Sequence, residues 1–398
     1  MPYCELSSNG IKIFYRRYGH GSTKVLLIIG LAGTHESWGP QIKGLTGTLE
    51  PNDEETAAPM VSAEAVGGGL GEEGRGENGI EVCCFDNRGV GRSSVPIKKS
   101  EYTTTIMAED ALALLDHLGW KKAHVFGHSM GAMIACKLAA IAPDRICSLA
   151  LLNVTGGGFE CFPKIDFQVL SLAFRFLRAK TPEERASVDL ETHYSKDYLD
   201  EHVGSCTRRD VLYQKYVKAI SSNGMQPTYG FEGQVNACWT HNMTSKELDT
   251  IRCSGFLVSV IHGRFDIIAQ IDHARRLADK LHPAARMVEL HGGHLVSHER
   301  PDEVNLALIE LIKASESKLK PEEWSHIPER QSGWLVSGTQ MPLTNRDKDG
   351  ANSLLILCKV LGKLQLNFLY FFGTLVMGCE HISNTLRIKP IRVAASDS

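Results

Sequence analysis

Six apolar runs organise the first three hundred residues: KVLLIIG from Lys24, IEVCCF from Ile80, AHVFG from Ala123, ICSLALL from Ile146, FLVSVIHG from Phe256 and ARMVEL from Ala285. Each is continuous rather than alternating, as expected of strands buried on both faces of a sheet. Segments with a helical apolar period separate them: GPQIKGLTGTL, TIMAEDALALLDHLGW, MGAMIACKLAAIAP, DHARRLADKL and PDEVNLALIELIKAS. Strands alternating with helices predict a mostly parallel sheet flanked by helices on both sides. Ahead of the first run, the alternation around Ile11, Ile13 and Tyr15 predicts a hairpin turning at Asn9-Gly10.

Three stretches break the rhythm. Residues 50–79 are rich in Gly, Glu, Ala and Pro without an apolar period, and read as a disordered surface insertion. Residues 155–250 carry only helix- or loop-like segments, among them FQVLSLAFRFLRAK, DVLYQKYVKAI and FEGQVNACW, and read as a helical cap inserted into the core. Residues 316–398 form a polar, turn-rich linker followed by a strongly apolar segment. The predicted organisation is a core at 1–154, the cap at 155–250, the rest of the core at 251–315, and an extension at 316–398.

The candidate chemistry starts at VFGHSMGAMIA, where Ser129 stands between Gly127 and Gly131 at a strand-to-helix junction. A strand turning abruptly into a helix leaves no room for Cβ atoms two residues to either side, and it drives the turning residue into strained backbone. This is the G-x-S-x-G arrangement of an exposed nucleophile. A serine hydroxyl needs a base, and the base an orienting acid, both at the carboxyl ends of neighbouring strands. The strand ending at Gly263 is followed by RFD, which presents Asp266. The last strand is followed by HGGH, which offers His291 and His294. His294 is preferred, because His291 still belongs to the strand end. Asp272 is the rival acid, but it opens a helix, where a carboxylate suits the dipole. His128, inside the turn, is placed for a supporting role, while His262, His273, His282 and His298 read as structural or exposed. Two backbone amides are expected to face a developing oxyanion: Met130, after the nucleophile, and Leu31, in the Gly30-Leu31-Ala32-Gly33 loop.

With GLAG, FDNRGVGRSS, VFGHSMGA, HGRFD and GGHLVSHERPDEV in this order, the chain resembles the α/β-hydrolase superfamily, in its esterase, lactonase and C–C-hydrolase branch. The resemblance runs from about Glu5 to Ser315 outside the insertion. It implies the α/β-hydrolase fold with an inserted helical cap, a Ser129–His294–Asp266 triad, a small-molecule acyl substrate and no cofactor or metal. Many members carry His-Gly at the first loop, where this chain has Ile29-Gly30. Epoxide hydrolases and haloalkane dehalogenases carry aspartate at the nucleophile position, so Ser129 argues against both chemistries. The expected reaction is hydrolysis of an ester, thioester or lactone. C–C bond hydrolysis with the same triad, or a hydrolase-fold receptor with slow turnover, are the alternatives.

Charge and cysteine usage narrow the setting. A net charge of −3 over 398 residues gives no field for nucleic acid. Eleven cysteines occur without a C-x-x-C pair, which points to reduced thiols in the cytoplasm rather than a zinc or disulfide framework. In the extension, Lys359 and Lys363 interrupt the apolar run, and the charge-free part falls short of the roughly 20 residues of a membrane span. It is expected to pack on the protein, with contact at a membrane surface as the alternative. Oligomeric state is not fixed by the sequence.

Overall fold

A computed structural model of the chain describes residues 2–6, 10–52, 79–161, 163–164, 166–223 and 226–326. Its strands are β1 (Tyr3–Glu5), β2 (Lys12–Tyr18), β3 (Thr23–Ile28), β4 (Ile80–Phe85), β5 (Ala123–His128), β6 (Ile146–Leu152), β7 (His202–Val203), β8 (Cys206–Thr207), β9 (Leu257–Gly263) and β10 (Ala285–Leu290). Eight of them form one sheet in the order β1-β2-β4-β3-β5-β6-β9-β10, and β7 and β8 pair as a separate ribbon. The pairings β1–β2 and β2–β4 are antiparallel, and the rest of the large sheet is parallel. Leu6 and Ile11 close the predicted N-terminal hairpin, with Gly10 at φ 68°.

The helices are α1 (Gly39–Thr46), α2 (Thr104–His117), α3 (Met130–Ile141), α4 (Phe167–Arg178), α5 (Pro182–His193), α6 (Lys196–Asp200), α7 (Arg208–Asn223), α8 (Thr228–Thr240), α9 (Ser245–Cys253), α10 (Ile271–Lys280), α11 (Val296–Glu299), α12 (Pro301–Glu316) and α13 (Pro321–Ser325). The continuous apolar runs have a direct explanation. Leu26, Ile28, Val125, Leu149 and Val258 face one core with α2, α3, α9 and α10. Their sequence neighbours Val25, Leu27, Phe126, Ala150 and Leu257 face the other, with α1, α12 and Trp324 of α13. Successive side chains point to opposite faces, and both faces are covered.

Two elements lie at the expected boundaries. Helix α9 packs against α3 and buries Ile251 in the first core. At the other end, the stretch after residue 315 is not wholly linker. Helix α13 docks Trp324 into the second core, its indole N–H donating to the Val258 carbonyl at 2.7 Å. Nothing apolar recurs around that single tryptophan, so no period betrays it. Of the predicted insertion, 53–78 lies outside the described residues, as do the remaining linker from 327 and the whole apolar segment after it. Among the described residues no helix is long and apolar enough to cross a membrane.

Candidate active site

Ser129 sits between β5 and α3 at φ 54°, ψ −121°, a conformation that L residues rarely adopt. Its neighbours explain the turn. A Cβ on Gly127 would stand 2.3 Å from the Gly131 carbonyl oxygen, and one on Gly131 would stand 2.0 Å from that of Ile28. The turn is tied to the sheet by the Ser129 N–H, which donates to Leu152 O at 2.8 Å.

The structure brings Ser129, His294 and Asp266 together. His294 Nδ1 lies 2.8 Å from Asp266 Oδ2, and its Nε2 lies 3.0 Å from Ser129 Oγ. A carboxylate accepts only, so Nδ1 carries the proton and Nε2 offers its lone pair to the serine hydroxyl. Burial by itself would raise the pKa of Asp266, but the adjoining His294, His262 and the Asn153 amide bring it down to about 2. The same carboxylate accepts the Ile268 and Ala269 N–H groups, both at 2.8 Å, on its other oxygen. His291 lies apart, half exposed, edge-on to Phe265 and 3.5 Å from Asp197. Asp272 is exposed in the first turn of α10 and pairs with Arg275.

Four further residues hold these three in place, and three of them were not visible in the sequence. Asn153, just past β6 at φ 49°, donates to Asp266 Oδ2 at 2.7 Å and to the Gly293 carbonyl at 3.3 Å. Glu299 accepts the Gly293 and Ser195 N–H groups at 2.7 and 2.8 Å, and the Ser195 hydroxyl at 2.6 Å. It thereby joins the histidine loop to the α5–α6 corner. His128 takes a definite place: its Nε2–H donates to the His294 carbonyl at 2.8 Å, and burial, aided by the nearby His294, depresses its pKa to about 3. His193 stacks beside His294 with ring centroids 6.3 Å apart; burial likewise lowers its pKa to about 3, and its carbonyl accepts the Leu295 N–H. A signal existed for only one of these, the histidine inside G-H-S-M-G. The others come from distant points of the chain.

The loop after β3 lies against Ser129. A Cβ on Gly30 would stand 3.0 Å from Ser129 Cβ. Among the described residues no acceptor takes the N–H of Leu31 or of Met130, the latter being the first residue of α3, where helix amides are left over. The loop itself is braced by the FDNRGVGRSS segment. Asn87 Nδ2 donates to Ile29 O at 2.8 Å, Asp86 accepts from both the backbone and ring N–H of His35, and buried Arg88 forms a two-pronged pair with Asp110. Gly89 and Gly91 take φ 90° and 60°, backbone that glycine adopts without strain. Among the described residues no group of three or more His, Cys, Asp or Glu side chains is gathered as a metal would require.

The sheet order, the serine turn and the loops at the carboxyl ends of β5, β9 and β10 define a hydrolase architecture. The family model of the alpha/beta hydrolase fold matches residues 25–301, and the chain belongs to that family. A relative from Caulobacter vibrioides, provisionally named carbamate hydrolase RutD, is 32% identical over 295 residues, which covers 74% of this chain and 92% of the relative. Among solved structures, the enol-lactonase from Burkholderia xenovorans LB400 superposes with a TM-score of 0.57 at 22% identity, over 78% of this chain and 100% of that one. A thermophilic esterase from Thermogutta terrifontis gives 0.55 at 20% identity, over 79% and 98%.

Proposed function

We propose that this hydrolase cleaves an ester, thioester or lactone of a small to medium carboxylic acid through an acyl-enzyme. The observation that carries the reading is the unbroken chain from Ser129 Oγ through His294 to Asp266, at 3.0 and 2.8 Å. In this reading His294 Nε2 takes the hydroxyl proton as Ser129 Oγ attacks the carbonyl carbon. The proton is then delivered to the leaving alkoxide or thiolate. A water molecule, deprotonated by the same imidazole, releases the acid and restores the serine. Asp266 keeps the imidazole in the required tautomer and stabilises its charged form. The amides of Leu31 and Met130 receive the oxyanion.

Helices α4 to α8, inserted between β6 and β9, are proposed to cap the carboxyl edge of the sheet and to shape the acyl pocket. The Caulobacter relative's name places carbamates on the same substrate panel, since their carbonyl is open to the same attack.

The test is covalent labelling followed by a substrate screen. A fluorophosphonate should label the wild type once, at Ser129, and a folded Ser129→Ala protein should take no label. The panel comprises short acyl esters, thioesters, lactones and carbamates. Labelling that persists in the alanine variant overturns the nucleophile. A labelled enzyme that turns over none of the panel overturns the substrate class.

A further inference from the structure

Helix α8 approaches the loop after β4 more closely than any residue but glycine permits. A Cβ on Gly230 would stand 1.9 Å from the Gly89 carbonyl oxygen, and one on Gly233 2.3 Å from the Tyr102 ring. The residue after that second glycine is Gln234, whose side chain is wholly enclosed, at 0% exposure. Its Nε2 donates to Arg88 O at 2.9 Å, and its Oε1 accepts the Ala32 N–H at 2.9 Å and the Gln226 amide at 3.0 Å. A carbonyl can only accept and a peptide N–H can only donate, so the orientation of the Gln234 amide is forced.

Ala32 holds φ 60°, and Gln234 is what its amide is fastened to. On the other side of the same loop, Asn87 fastens the Ile29 carbonyl at 2.8 Å. The peptide unit between these anchors is the one that carries the Leu31 N–H. Its carbonyl, Gly30 O, accepts the Gly33 N–H at 3.3 Å. In a trans peptide the N–H points opposite to the carbonyl, so the three hydrogen bonds together set where the Leu31 amide aims.

We propose that Gln234 is a positioning residue for the oxyanion hole. It holds the Leu31 amide in register with that of Met130 through its own side-chain amide, which bridges Ala32 N–H and Arg88 O. This rests on the reading of Leu31 and Met130 as the oxyanion donors. The helix that brings the glutamine belongs to the segment inserted between β6 and β9.

The experiment compares wild type, Gln234→Met and Gln234→Asn. Met fills the same volume without an amide. Asn retracts the amide by one methylene and serves where Met does not fold. Active sites are titrated with a fluorophosphonate, so that every rate refers to competent serine. Misplacing one oxyanion donor is expected to lower kcat per titrated site about 10- to 100-fold with KM changed little, and to weaken a trifluoromethyl ketone inhibitor by the same factor. Asn236→Ala is the control, because that side chain fastens the same helix to the Lys99 and Tyr102 carbonyls away from the loop. It should lower Tm and leave kcat per site unchanged. A wild type that takes no label overturns the nucleophile assignment and this proposal together. A labelled wild type with Gln234 variants turning over at the wild-type rate, or with Asn236→Ala falling equally, overturns the positioning role alone.

Discussion

At the scale of single residues, the site is a short chain of polar contacts closed off from water on the acid side. The Asp266 carboxylate carries two backbone N–H donors on one oxygen and the His294 and Asn153 donors on the other. Its charge is therefore fully matched, and the imidazole cannot rotate to the wrong tautomer without breaking a pairing. Asp266→Asn and His294→Ala should each lower kcat on the order of 10⁴-fold. Steady-state rates per titrated site measure this, and a His291→Ala variant that lost turnover where His294→Ala kept it would reassign the base. The three residues of this chain could be named from sequence because each follows a recognisable apolar run, where the sheet presents its carboxyl ends. The residues that hold them could not. Asn153 reaches Asp266 across 113 positions and Glu299 reaches Ser195 across 104, and neither lies in a motif. Long-range polar pairing leaves no periodic trace in a chain, whereas the strain around Ser129 does, in the form of its two glycines.

At the scale of elements, the strands and long helices were legible and the short ones were not. Six apolar runs became six strands, because burial on both faces demands unbroken hydrophobicity. Helices α6, α11 and α13, of four or five residues, have too few turns for a period to show. Helix α13 nonetheless contributes Trp324, which is 1% exposed, lies under the Arg286 guanidinium at 5.0 Å and donates to the β9 backbone. Trp324→Ala should cost about 3–5 kcal/mol, as expected for a large aromatic removed from a core. Urea unfolding of the variant measures the loss. A change below about 1 kcal/mol would mean that α13 is an appendage and not part of the core.

At the scale of the whole molecule, several histidines are sealed inside the fold in the neutral state. Burial lowers the pKa of His124 to about 4, and of His128 and His241 to about 3. In the unfolded chain each titrates near its ordinary value, about 6.5. Below that value the unfolded state binds protons that the folded state refuses, so stability falls as the pH falls from about 6.5 toward 4 and 3. Each such histidine adds up to about 1.4 kcal/mol per pH unit to the slope. Asp266 works in a different window. Its pKa, depressed to about 2, gives stability that is present above the ordinary carboxylate value and lost progressively as the pH falls from there through 2. Urea midpoints taken stepwise from pH 7.5 to 4.5 should therefore decline. Replacing His241, whose ring bonds the Thr104 hydroxyl, by Gln should make the decline shallower by about one proton. An unchanged slope would place the acid sensitivity elsewhere.

Asn52 and Gly79, the described residues on either side of 53–78, both sit beside a single corner, the turn between β2 and β3. Asn52 is fastened to Arg17 and Gly19, and Gly79 accepts the Thr23 N–H. That corner is at the end of β3 opposite the loop that faces Ser129. For an engineer this is a port: two fixed posts at the foot of the enzyme, between which chain length costs only about 0.6 kcal/mol per doubling. A fluorescent reporter, a purification handle or a second enzyme could be spliced between them, at the end of the sheet away from Ser129.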